Sequence, residues 1–231
     1  MLRESRLPAG KTLGSLEENR LPPKVRRQLP TLLEGGFIER AENLLAFGLP
    51  GRGKTHFLCA LGRELILRHG YAIYFTPTFK LVQQLLTAKK DLRLDALLKK
   101  LDHYDAIILD DIGYVQQSRE EMEVLFTFLA DRYERRSLLI SSNLIFSKWD
   151  QIFKDPMTTM AAVDRLVHHA VILEFDGESM RTARHKESLG SKPDALASPL
   201  GFATPLAPGG AKDSAPPKRL AQKVNDPSMT Q

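Results

Sequence analysis

Gly48-Leu49-Pro50-Gly51-Arg52-Gly53-Lys54-Thr55 is a complete G-x-x-x-x-G-K-[ST] string, standing between an apolar strand-like run (Leu44 to Phe47) and a helix-like run (His56 to His69). A polyphosphate needs several backbone N–H donors converging on it. That demands a sharp turn with little Cβ bulk, and the positive end of the following helix adds to the attraction. Gly48, Gly51 and Gly53 supply the turn. Lys54 is a point charge able to reach the β- and γ-phosphates, and the Thr55 hydroxyl is placed to ligate Mg²⁺. The string predicts a binding site for a nucleoside triphosphate.

Four fixed positions match by chance in roughly 1% of chains this long, so a second element is needed. Ala106-Ile107-Ile108-Leu109-Asp110-Asp111 provides one. A buried parallel strand reads as a continuous hydrophobic run, and acids at its carboxyl end lie in the crevice where open α/β sheets bind ligands. Two tandem acids after a strand also suit a solvated turn. Paired with the loop, they become candidates for the acids that handle Mg²⁺ and water.

The chain has 231 residues, 42% hydrophobic and 26% charged, as expected of one globular domain with tails. No run approaches the roughly 18 apolar residues of a membrane span. The opening Met1-Leu2-Arg3-Glu4-Ser5-Arg6 lacks the apolar core of a secretory signal, so a cytosolic location is expected. A single cysteine, Cys59, excludes an internal disulfide and any multi-cysteine zinc site, and its place in the first long helix suggests packing. The net charge of +5 permits a polyanionic partner.

Along the chain, the first 20 residues read as polar and irregular. Pro22 to Leu33 forms a short amphipathic helix opened by proline, closed by Gly35-Gly36. Tyr71 to Phe75 is a second strand. Thr78 to Lys90 and Asp91 to Leu101 are helices, and Arg119 to Arg135 is the clearest one, with Met122, Leu125, Phe126, Leu129 and Tyr133 at spacings of three and four. Leu138 to Ile140 is a strand, Thr158 to His168 a helix and Val171 to Phe175 a fifth strand. Alternating strands and helices predict an α/β, three-layer fold of P-loop NTPase type around a mostly parallel five-stranded sheet. From Ser188 onward, seven of 14 prolines fall among Ala, Gly, Ser and Lys without apolar periodicity, predicting a disordered tail over 188–231.

Beyond the loop and the acid pair, Phe37-Ile38-Glu39-Arg40-Ala41-Glu42-Asn43-Leu44, Asp110-Asp111-Ile112-Gly113-Tyr114, Arg132-Tyr133-Glu134-Arg135-Arg136-Ser137, Ser141-Ser142-Asn143-Leu144, Asp164-Arg165-Leu166-Val167-His168-His169 and Gly177-Glu178-Ser179-Met180-Arg181 follow in order. With the loop and His56, these resemble the motifs of the IstB-type ATPases, helper proteins of bacterial insertion sequences related to the DnaC helicase loaders. The likeness runs from about residue 10 to 187. It implies an AAA+ fold over 37–187 behind an N-terminal segment, 1–36, that is shorter than the family usually carries.

The resemblance also implies roles. Gly48, Leu49, Pro50, Gly51, Arg52, Gly53, Lys54, Thr55 and His56 are the nucleotide-cradling residues, with Thr55 and Asp110 on Mg²⁺. Asp111 stands at the acid that polarises the attacking water, where the family more commonly has Glu. It is one methylene shorter, and phosphoryl transfer depends on positioning, so slow or partner-dependent turnover is expected. Asn143 corresponds to a sensor of water or γ-phosphate, a plain turn asparagine being the alternative. Arg165 corresponds to an arginine finger reaching a neighbouring subunit, a helix-end arginine being the alternative. Arg181 matches a further family position, but Met180 replaces its usual tyrosine and no role follows.

His168-His169 reads against metal binding, because adjacent helical residues point about 100° apart and no acid or cysteine in the sequence completes a site. Lys89, Lys90, Arg93, Lys99 and Lys100 form a basic segment, either a solvated face or a contact for DNA phosphates. Trp149 and Phe153 read as packing. The functional expectation is an oligomerising ATPase that uses Mg²⁺ and ATP, binds DNA non-specifically and acts on a transposase. A DnaC-like loader of the replicative helicase and a non-catalytic nucleotide-gated binding module are the alternatives.

Overall fold

A computed structural model describes residues 2–113, 118–149 and 156–176, which fall in one compact unit, Met1–Lys192. Tyr114, Phe153, Gly177 to Arg181 and the tail from 188 lie outside the described residues.

Strand β1 (Asn43–Phe47) buries all five residues, because it is covered on both sides. Side chains alternate across a strand, so Leu45 and Phe47 enter one core while Leu44 and Ala46 enter the other. Around it stand β2 (Ile73–Pro77), β3 (Ala106–Asp110), β4 (Ser137–Ser142) and β5 (Ala170–Glu174). Their order is β2-β3-β4-β1-β5, and every pairing is parallel.

Parallel neighbours need crossovers, which the helices supply. α1 (Pro23–Leu33), α2 (Gly36–Glu39) and α3 (Lys54–His69) pack against the face carrying Leu44, Ala46, Ile108 and Leu139. α4 (Thr78–Lys90), α5 (Leu94–Asp102), α6 (Arg119–Arg132) and α7 (Pro156–Val167) pack against the face carrying Leu45, Ile107 and Ile140. The architecture is three-layered, as the alternation of elements predicts. Among the described residues no helix is long and apolar enough to cross a membrane.

Local chemistry sets several boundaries. Ser118 caps α6 by accepting from the Glu121 N–H while the Glu121 carboxylate accepts from the Ser118 N–H, satisfying two orphan donors. α6 stops at Arg132, three residues short of the expected end at Arg135, because Tyr133 leaves helical backbone. The Arg132 side chain is buried and donates to the carbonyls of Leu101 at 3.0 Å, Tyr104 at 2.9 Å and Ser137 at 3.4 Å. It pins α5, the turn after it and the start of β4 together. Burial pushes this guanidinium down to about 10, against the pull of Asp102.

Cys59 is buried in α3, and burial pushes its thiol up to about 12, so it packs as an inert side chain. Trp149 is fully buried against Phe47, with ring centroids 6.3 Å apart, and its indole N–H donates to Leu144 O at 3.1 Å. The opening segment is irregular but not merely polar. Leu16 is buried, Leu2, Leu7 and Leu13 pack beside it, and Ser5 O accepts from Phe75 N–H at 2.7 Å. That bond covers part of the exposed edge of β2.

Candidate functional site

The loop 48–53 leaves the carboxyl end of β1, an interior strand, and runs into the first turn of α3. Gly48 has φ +149°, and a Cβ there would lie 2.4 Å from Phe175 O, so only glycine lets β1 turn beneath the chain leaving β5. Gly53, at φ +88°, caps α3 and aims its first N–H groups into the turn. Arg52 donates from Nη1 to Phe175 O at 3.3 Å, tying the loop to the same carbonyl region.

β4 lies between β1 and β3, so its carboxyl end bridges the loop and the acid pair. Thr55 Oγ1 donates to Asp110 Oδ1 at 2.6 Å, and Ser141 Oγ donates to the same oxygen at 2.7 Å. Ser141 Oγ also accepts from Asp111 N–H at 2.8 Å. The Lys54 ammonium reaches the carbonyls of Gly48 and Leu49 and, at 2.7 Å, Asn143 Oδ1. Asn143 Nδ2 donates to Asp111 Oδ1 at 2.7 Å, completing a chain from lysine through asparagine to acid.

Asp111 has φ +61°, a left-handed conformation that costs ~1 kcal/mol outside glycine. The Ser141 and Asn143 hydrogen bonds hold it there. Burial raises its carboxyl above the ordinary range, the neighbouring Asp110 charge adds to this, and Lys54 opposes it. The group is an acid biased toward accepting a proton.

Five residues singled out in the sequence therefore meet: Lys54, Thr55, Asp110, Asp111 and Asn143. Lys54 is buried, at 6% exposure, so its ammonium is held within the turn. His56 turns toward the opening segment, with Nε2 3.0 Å from Ser15 Oγ and 3.2 Å from Thr12 O. Arg165 is not brought to the loop of its own chain. Its guanidinium lies 4.8 Å over the Phe126 ring and donates to Ala161 O at 3.2 Å.

Sequence reading missed Ser141, Thr78 and Phe175. Thr78 Oγ1 donates to Asp110 O at 3.0 Å, fixing the backbone under the acid. The signal of Ser141 and Thr78 was available in outline, because each is a hydroxyl residue at the carboxyl end of a strand flanking the acid-bearing strand. Phe175 acts through its carbonyl, which no side-chain pattern announces.

In the basic segment, Lys89 pairs with Glu123 at 2.9 Å, while Lys90, Arg93, Lys99 and Lys100 are exposed. Lys100 lines a cavity of about 370 Å³ with Arg3, Arg6, Tyr74 and Tyr104.

The arrangement fits a magnesium nucleotide. Thr55 and Asp110 offer hard oxygen donors side by side, the set Mg²⁺ takes, and the turn offers backbone N–H groups and an ammonium to phosphate. The family model described as IstB-like ATP binding protein matches residues 1–188. An insertion sequence ATP-binding protein of Sinorhizobium fredii is 44% identical over 181 residues, covering 78% of this chain and 60% of that protein. The IS21 ATP-binding protein of Pseudomonas aeruginosa is 36% identical over 187 residues, covering 81% and 70%. Among solved structures, AMPPCP-bound DnaA from Aquifex aeolicus superposes with a TM-score of 0.60 at 21% identity, over 80% of this chain and 56% of that one. The DnaC helicase loader gives 0.56 at 19% identity, over 66% and 89%. These two solved structures share the fold of this chain.

Proposed function

The chain belongs to the family of IstB-like ATP binding proteins, and on that premise we propose that it hydrolyses ATP as a helper of DNA transposition, contacting DNA through phosphates and regulating a transposase. The observation that carries the reading is the chain Lys54–Asn143–Asp111 beside the pair Thr55–Asp110. It gathers groups suited to phosphate, metal and water chemistry at one end of the sheet.

In this reading Gly48 to Gly53 cradle the phosphates, Lys54 neutralises the β- and γ-oxygens, and Thr55 and Asp110 hold Mg²⁺. The ion would offset phosphate charge. Asp111 orients and polarises the attacking water, its raised pKa giving it more basicity than an ordinary carboxylate. Asn143 fixes the position of that carboxylate and reports on the lysine end of the site. Arg165 serves a neighbouring subunit, which makes the working form an oligomer. The short side chain and strained backbone of Asp111 favour one second reading, a nucleotide-gated module without turnover.

The DNA part rests on the exposed cations Lys90, Arg93, Lys99 and Lys100. Lysine and arginine contacts release counterions. Affinity is therefore expected to vary little with sequence and to fall on the order of 10³-fold between about 50 and about 200 mM salt if about six phosphates are engaged. Charge reversal at Lys99 and Lys100 together should weaken binding and reduce the salt slope by about 2, read by fluorescence anisotropy. Unchanged binding would return the segment to a solvated face.

A further inference from the structure

We propose that Glu134, His168 and His169 form a binding site for a transition-metal dication of the zinc class, at the end of the sheet opposite the phosphate loop. The sequence argues against this on two grounds, and the structure removes both. α7 ends at Val167, so the two histidines stand in the turn before β5 rather than on a helix, and their rings lie 4.2 Å apart. The missing acid comes from the turn after α6, 34 residues earlier than His168 in sequence.

Glu134 Oε1 is 3.7 Å from His168 Nδ1 and 3.8 Å from His169 Nε2, and the three residues each offer a ligand atom within 4.8 Å of the other two. Two donors bound to a tetrahedral ion at about 2.1 Å stand about 3.4 Å apart, so an ion needs only a few tenths of an ångström of adjustment in two of the pairs. All three side chains are half exposed, at 52%, 54% and 54%, which leaves them free to adjust and leaves a fourth position open to water or to a side chain of another protein. Glu134 holds φ +55°, a left-handed backbone that turns its carboxylate toward the histidines. Tyr133 Oη lies 3.1 Å from His168 Nδ1, a hydrogen bond that an ion bound at that nitrogen would displace.

The donor set decides the metal. Two imidazoles and one carboxylate suit zinc and its neighbours, whereas Mg²⁺ and Ca²⁺ take oxygen ligands. The site is separate from Thr55 and Asp110. β4 and β5 begin beside it, at Ser137 and Ala170, and the loop lies past the other ends of the sheet, about 15 Å along the strands. A bound ion would tie the α6–β4 turn to the α7–β5 turn.

The test is metal titration of the full chain, without an affinity tag or nucleotide, using Zn²⁺ by calorimetry and Co²⁺ by visible absorption. The double variant His168→Ala/His169→Ala should bind one ion fewer per chain and lose the strong bands of four-coordinate cobalt. Glu134→Gln should weaken binding about 10-fold or more, by analogy with the effects of disturbing a ligand shell. His103→Ala, an exposed histidine elsewhere, should change nothing, and circular dichroism of all variants should match the wild type. Absence of Zn²⁺ uptake by the wild type, uptake undiminished in the double variant, or an equal loss in His103→Ala would each overturn the site and leave an ion-pair cluster.

Discussion

Replacing Lys54 with alanine is expected to lower ATP affinity about 100-fold or more in a calorimetric titration, the size of a lost charge-assisted contact of ~3 kcal/mol. The structure adds a second consequence. Lys54 is buried and donates to two loop carbonyls and Asn143, so alanine also strips donors from three acceptors. Part of the loss would then be a loosened loop, at about 1–3 kcal/mol of stability. Lys54→Gln separates the effects, because a shorter amide keeps a donor in the turn and removes the charge. ATP affinity unchanged in a folded Lys54→Gln protein would contradict the phosphate-loop assignment.

Arg165→Ala should keep ATP binding and lose turnover by about 10³-fold or more, the scale of an arginine finger. Within its own chain Arg165 stacks over Phe126, and magnitudes decide whether that contact can hold it. A partly exposed cation–π contact is worth ~0.5–1 kcal/mol, against the ~4 kcal/mol equivalent of a 10³-fold rate effect. On the proposed reading, the transition state of a neighbouring subunit would outweigh that contact. Mixing supplies the sharper readout. An Arg165→Ala subunit carries an intact loop and a Lys54→Ala subunit an intact finger, so mixed assemblies contain complete interfaces although neither variant alone has any. Turnover by a mixture whose co-assembly is confirmed by sedimentation, yet no greater than the sum of the separate preparations, would contradict a role between subunits.

The parallel sheet was legible because β1, β3 and the middle of β4, Leu138 to Ile140, are apolar runs, and such runs fit best between two layers. The meeting of Thr55, Asp110 and Asn143 was legible through motif order. Less so were features carried by backbone or by long-range packing. The end of α6 was overestimated since Tyr133 continues the apolar period while its backbone does not continue the helix. The opening segment looked polar because its leucines are too widely spaced to show a period, although Leu16 is buried and Ser5 meets β2. Glu134 and the two histidines were unreadable as a cluster, since their proximity exists only once two turns at the same end of the sheet are formed.

Phosphate release from Mg·ATP, compared between the wild type and Asp111→Asn in the presence of DNA and the partner transposase, tests the ATPase reading most directly. Asparagine keeps the size of the side chain and removes its basicity. Both proteins should bind ATP, the wild type should release phosphate, and Asp111→Asn should not. Because burial raises the Asp111 carboxyl, the acid limb of wild-type turnover should lie above the ordinary aspartate range near about 4, as the ionised form is lost when pH falls through its raised value. Equal release by the two proteins, or no release by a wild type that has bound ATP, would contradict the account.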